Sequence, residues 1–195
     1  MPASQTMNIL ESTKIALILA GALALVGCSG GSDNPSSSNV LVQYADSSSC
    51  PAPTPPNRLR LSLGPVDAAS GVIKLNVKAN LGDSVRGVAF QLNFDASVLE
   101  FVKFDANPTF QGQGLAQAAL LDGSPGKLVV GVSRLGTEAG VTGQVTVGTL
   151  TVRRRLESGL SIVSFSNESL ADANSTYVSE LPACFINGQL TISQP

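Results

Sequence analysis

The chain has 195 residues, 43% hydrophobic and only 13% charged, a balance that fits one foldable domain with appendages and excludes a disordered polyelectrolyte. Twelve basic against fourteen acidic side chains leave a net charge of −2, without the strong positive field through which a nucleic-acid binder releases phosphate counterions. There is no His, so Ser-His-Asp and Cys-His nucleophiles and HExxH zinc sites are excluded.

Ile15 to Val26 are twelve consecutive apolar residues after Lys14, too short to span a bilayer and suited to the apolar region of a secretory signal. Leu25-Val26-Gly27-Cys28 closes the run and resembles the bacterial lipobox. That resemblance implies a lipoprotein signal peptide over residues 1–27 and a diacylated Cys28 as mature N-terminus and membrane anchor. Stable anchoring takes more than one acyl chain, because each buried methylene contributes only about 0.8 kcal/mol. Ser29, rather than Asp, after the Cys resembles an outer-membrane sorting pattern. The expected location is the cell envelope, at the outer membrane in a two-membrane host, with the domain periplasmic or extracellular. Lipid on Cys28 leaves Cys50 and Cys184 as an even pair in an oxidising compartment, where a disulfide is the default expectation and two free thiols the alternative.

Residues 28–57 read as a lipidated Ser/Pro-rich tether: positions 29–57 hold eight Ser and five Pro around one apolar island, Val40 to Tyr44. Such a composition buries too little apolar surface to offset its ordering entropy. The island has a second reading, a short strand docking on the domain that follows.

Residues 58–195 carry repeated period-two patterns. Leu59, Leu61 and Leu63 alternate with polar neighbours, as do Ile73, Leu75, Val77 and Ala79, and then Val88, Phe90, Leu92 and Phe94. Further candidate strands are Leu99 to Phe104, Leu115 to Leu121, Lys127 to Arg134, Val145 to Arg153, Leu160 to Phe165 and Gln189 to Ser193, separated by Gly, Asp, Asn, Ser and Pro clusters. The segment LAQAALL over 115–121 also suits two turns of helix. Nine short alternating strands predict antiparallel pairing in a two-sheet sandwich.

The segment VRGVAFQLNFDASVLEFVKF, residues 85–104, resembles the cohesin domain, in which an inward-alternating strand runs into a Phe-Asp-x-x-Val-Leu-Glu-Phe turn. KLVVGVSRL over 127–135, Gly143 to Val152, Ser169 to Ala173 and Gly188 to Ile192 resemble later cohesin strands in the same order. The resemblance implies an all-β, nine-stranded jelly-roll sandwich whose first and last strands lie side by side in parallel. Cys50 and Cys184 both precede those neighbouring strands, which supports a bridge between them. It also implies protein–protein binding, since cohesins bind dockerins, often through polar residues early in the third strand. Here Gly87 and Ala89 stand at those positions, a departure from the family pattern.

Asp95 to Ser97 reads as a turn whose carboxylate accepts backbone N–H groups, rather than a metal or catalytic loop. Arg153-Arg154-Arg155 reads as the solvated end of a strand that blunts edge pairing, with anionic headgroups as the other reading. The candidate binding residues are Gln91, Asn93 and Tyr177, the last as the exposed aromatic of the domain. No catalytic residue, metal or cofactor is expected. The functional expectation is a non-catalytic envelope lipoprotein whose cohesin-like domain binds another secreted or envelope protein. The alternative is a carbohydrate-binding module assisting polysaccharide catabolism.

Overall fold

A computed structural model describes residues 40–111, 115–121, 124–135, 139–174 and 180–194, with backbone alone for 111 and 115–121. Its described elements are the strands β1 (Leu41–Asp46), β2 (Asn57–Asp67), β3 (Val72–Asn93) and β4 (Leu99–Ala106), the single turn α1 (Pro108–Gln111), and then β5 (Leu115–Leu121), β6 (Lys127–Arg134), β7 (Val141–Arg154), β8 (Gly159–Asp172), β9 (Ala183–Ile186) and β10 (Gly188–Ser193). The all-β sandwich expected from the alternation is present. Residues 115–121 form a strand paired with β6, so the helical reading of that segment is set aside.

The two predicted strands at 73–79 and 88–94 are one 22-residue strand. The N-terminal half of β3 pairs with β2 and β7, and its C-terminal half pairs with β6 and β8. A first sheet therefore runs β9-β2-β3-β7-β4 and a second runs β1-β10-β8-β3-β6-β5, with β3 common to both. Register shifts at Leu81/Val85 and Val85/Gly87 mark the passage between sheets. An irregularity of this kind bends a strand and sharpens its twist. Asn57 holds the bend from within. Its fully buried amide donates to the Asp83 carboxylate at 2.8 Å and to the Pro182 carbonyl at 3.0 Å, while its Oδ1 accepts the Asp83 N–H at 3.2 Å.

The apolar side of each strand faces the space between the sheets. Leu59, Leu61, Ile73, Leu75, Val77, Ala79, Val88, Phe90 and Leu92 are buried as the alternation predicts, whereas Leu63, beside a register shift in β2, and Phe94, just past the end of β3, are half-buried. The Phe165 ring packs edge-on against both Phe90 and Phe185, with centroids 5.3 Å apart in each case.

The tether reading is corrected between residues 40 and 57. The Val40 to Tyr44 island is strand β1, antiparallel to β10, with Val42 buried and Tyr44 half-buried. The physical reason is alternation: Val40, Val42 and Tyr44 share one face, and all three pack on the core. The Tyr44 ring lies over Gly188, where any Cβ would collide with it. Burial pushes the Tyr44 hydroxyl pKa well up, with the Asp46 charge adding to the effect. The following stretch is strapped down as well. Ser47 N–H donates to the Asn187 carbonyl and Asn187 N–H to the Ser48 hydroxyl, both at 2.8 Å. The ordered sandwich thus begins at least eighteen residues before position 58.

Cys50 and Cys184 form a disulfide, with Cα atoms 5.7 Å apart. Cys184 lies on β9, and β9 is parallel to β2. The expected parallel neighbour of the first domain strand is therefore β9, while the Gln189 to Ser193 strand runs antiparallel to β1 and β8 in the other sheet. Asn187 is the crossing point between β9 and β10, and its side-chain oxygen accepts the Phe165 N–H at 2.8 Å.

The three arginines do not blunt an edge. β7 lies between β3 and β4 and is paired on both sides. Arg154 is tied to Glu157 at 2.6 Å and to the Ala68 carbonyl at 3.3 Å, which leaves Arg153 and Arg155 as the exposed members of the run. The Asp95 turn is as read: its Oδ1 accepts the Ser97 N–H at 2.8 Å and the Ser97 hydroxyl at 2.6 Å. Asp67 makes the same kind of turn, accepting from Ala69 and Ser70. In both, the serine hydrogen bonds hold the carboxyl below its ordinary pKa.

Two outcomes follow for stability. The disulfide closes a loop of 134 residues, so Cys184→Ser should lower the unfolding free energy by about 2–5 kcal/mol, read from the urea midpoint, and reductant should destabilise the native chain by the same amount and leave the variant unaffected. The contribution of Asp67 and Asp95 is complete above the ordinary carboxylate pKa and disappears as pH falls through their lowered values. Urea titrations of an Asp67→Asn, Asp95→Asn double variant should therefore show a shallower loss of stability below about pH 4 than the native chain; parallel acid limbs would contradict this.

Candidate docking face

Strands β3, β6, β8 and β10 of the second sheet turn one row of alternate residues to the core and the other row outward. On β3 the outward set is Gly87, Ala89, Gln91 and Asn93; Gln91 lies opposite both Val129 of β6 and Ser166 of β8, and Asn93 opposite Lys127 and Ser164. Ala89 lies opposite Gly131. A Cβ added at Gly131 would meet nothing within 4 Å among the described residues, so this point of the face has room for a side chain.

Gln91 and Asn93, the two candidates taken from the sequence, meet here. The Gln91 amide N–H donates to Asn93 Oδ1 at 2.8 Å, Asn93 donates to the Ser166 hydroxyl at 2.8 Å, and Asn167 donates to Gln91 Oε1 at 3.0 Å. Asn167 holds a left-handed conformation, φ 51°, which Asn tolerates better than most residues. Gln91 is only 9% exposed. Its amide is occupied by this chain, so it organises the face more than it offers free groups. Amides of this kind neither titrate nor attack, and the arrangement suits contact rather than chemistry. Tyr177 and Cys28 lie outside the described residues.

The sequence reading missed the apolar half of the face. On β8 the order is Leu160-Ser161-Ile162-Val163, and the structure inverts the polarity expected of a soluble sandwich. Ser161 is fully buried, whereas Leu160 is 48% and Ile162 57% exposed. Ser161 tolerates burial because its hydroxyl accepts the Asp95 N–H at 3.0 Å, so that both groups are satisfied. Leu160 and Ile162, with Asn93, Phe94, Asp95 and Ser164, line a shallow hollow of about 380 Å³. Val129, 43% exposed, adds a third aliphatic on the far side of Gln91. The signal in the sequence is that Leu160 to Val163 does not alternate cleanly, which leaves its facing ambiguous until Phe165 and Val163 are placed in the core.

Among the described residues no group of three or more His, Cys, Asp or Glu side chains is placed to hold a metal ion.

The cohesin domain model matches residues 59–192. No curated relative matches the chain. Among solved structures it is similar to a type I cohesin from Clostridium thermocellum crystallised in a cohesin–dockerin complex, with 11% identity, TM-score 0.55, and coverage of 71% of this chain and 93% of that one. It is also similar to a non-cellulosomal cohesin from the archaeon Archaeoglobus fulgidus (14% identity, TM-score 0.53, coverage 71% and 89%). A third is a type II cohesin module from an adaptor scaffoldin of Acetivibrio cellulolyticus (15% identity, TM-score 0.57, coverage 67% and 87%). These identities speak for a shared sandwich; the family match spans more than two thirds of the sequence, and on that ground this chain belongs to the cohesin family.

Proposed function

We propose that this protein is a non-catalytic docking module, held at the cell envelope by lipid on Cys28, which binds a secreted or envelope protein through the outer face of its second sheet. The observation that carries the reading is the inversion on β8, where Leu160 and Ile162 face outward and Ser161 is buried between them. Exposed aliphatics on either side of a chain of satisfied amides, on one sheet face, give the mixed apolar and polar surface of a protein interface. Membership of the cohesin family, with a relative crystallised against a dockerin, favours a protein as occupant.

The departure at the start of the third strand gives the partner a character. Gly87 and Ala89 offer no polar side chains, and Ala89 faces Gly131 across the ladder. The partner contact therefore rests on shape and apolar area, and a ridge of small or aliphatic residues on the partner would fit it.

Affinity capture from the secreted and envelope fractions with the native chain should recover one partner reproducibly. Ile162→Asp should weaken that complex by about thirty-fold or more, the effect of losing a central apolar anchor. Gly131→Glu, at a site with open space for the new side chain, should do the same with no loss of thermal stability. Capture unchanged in both variants would refute the face. The anchor is tested separately: Cys28→Ser should move the protein from the membrane fraction to the soluble one and abolish fatty-acid labelling, whereas an unlabelled native chain would refute lipidation.

A further inference from the structure

The outer surface of the first sheet, on the opposite side of the sandwich, carries a second feature that the docking reading does not use. A groove of about 630 Å³ crosses β2, β3 and β7, lined by Arg58, Arg60 and Lys78 together with Asn80, Gln144 and Thr146. Its volume falls within the ordinary range of ligand-binding clefts.

The placement of charge in this groove works against the fold. Arg60 and Lys78 lie directly opposite each other on adjacent antiparallel strands, a like-charge pairing that destabilises a sheet. Arg58 lies two residues before Arg60 on the same face of β2, and Lys74 extends the same face of β3, opposite Thr151. Four of the twelve Lys and Arg residues in a chain of net charge −2 thus share one face of two neighbouring strands. The compensation within the protein is small. Asp46 reaches Arg60 at 3.6 Å, and Lys78 is held by the Thr146 hydroxyl at 2.8 Å. Arg58 and Lys74 have no acidic partner among the described residues.

We propose that this groove binds an acidic polysaccharide, a chain of carboxylated sugars. Three features select that occupant. Cations spaced along two strands match carboxylates repeated once per sugar, and guanidinium groups pair with carboxylate in a two-pronged geometry. Asn80, Gln144, Ser62 and Thr146 supply the mixed donors and acceptors that sugar hydroxyls require. The floor of the groove is β3, whose Lys78 and Asn80 are paired with β2 on one side and β7 on the other, so a peptide seated across these side chains gains no main-chain hydrogen bonds from the strand beneath it. A recessed lining with Ile186 as its one half-buried large aliphatic beside Arg60 also fits a solvated glycan chain better than a flat lipid surface, which an apolar face would enter. The site is independent of the docking face, and both faces can be occupied together.

Affinity electrophoresis of the full detergent-solubilised chain in gels containing polygalacturonate or alginate tests this directly, with neutral galactomannan as the comparison. Retardation by at least one acidic glycan and none by galactomannan is expected, with release at on the order of 0.5 M salt. Arg58→Gln combined with Lys78→Gln should weaken binding by about tenfold or more, the effect of losing two charge-assisted contacts. Lys127→Gln combined with Arg155→Gln removes the same charge outside the groove and should leave binding unchanged, as should Gly131→Glu on the docking face. Amide chemical-shift changes on adding oligogalacturonate to the native chain provide a readout that needs no variant, and they should centre on β2, β3 and β7. The proposal is overturned by absence of retardation with both acidic glycans, by equal weakening in the two double variants, by shift changes centred elsewhere, or by tighter binding to phosphatidylglycerol vesicles than to either glycan.

Discussion

A single strand, β3, takes part in both hydrogen-bonded sheets, and every other placement in the molecule depends on its bend. Its first half is the centre of one sheet and its second half the centre of the other. A strand that passes between sheets must break register, and it leaves backbone groups at the break that need partners. Asn57 and Asp83 meet that need from inside the structure. Because the same bonds reach the Pro182 carbonyl, the bend of β3, the start of β2 and the approach to β9 are held as one unit.

The opposite end of the fold is secured by a comparable device. Asn187 lets the chain leave β9 in one sheet and enter β10 in the other, and it is bonded to Ser47, Ser48 and Phe165 as it does so. The disulfide joins Cys50 to Cys184 three residues before that crossing. The chain ahead of β2 is thereby drawn onto the sandwich from Val40 onward, which places the point of departure of any upstream tether beside β10.

The two sheets present outer surfaces of different chemistry. One carries exposed aliphatics set beside a chain of satisfied amides. The other is grooved and cationic. Both derive from residues at outward positions of strands whose inward positions build a common core. A sandwich built in this way separates stability from recognition: the alternate residues that face outward can change with little effect on the packing beneath them.

Much of the architecture was legible in the sequence because burial imposes a period of two on a half-buried strand. Leu59 to Ala79 and Val88 to Leu92 announce their own facing in this way, and the turn at Asp95 follows from the chemistry of a short carboxylate beside Ser97. Gln91 and Asn93 could be placed on one outward face for the same reason. Three things were not legible, since they depend on contacts between residues far apart in the chain. Nothing local distinguishes the Val40 to Tyr44 island in a Ser/Pro-rich tether from a strand until β10 supplies its hydrogen bonds. Ile162 outward and Ser161 inward became decidable only when Asp95 provided the partner for a buried hydroxyl. The cationic groove exists only because the β2–β3 register sets Arg60 against Lys78. The sequence by itself determined the alternation, the turns and the family, which are properties of neighbouring residues; tertiary pairing alone decided which side chains became neighbours across strands, and so what each outer surface carries.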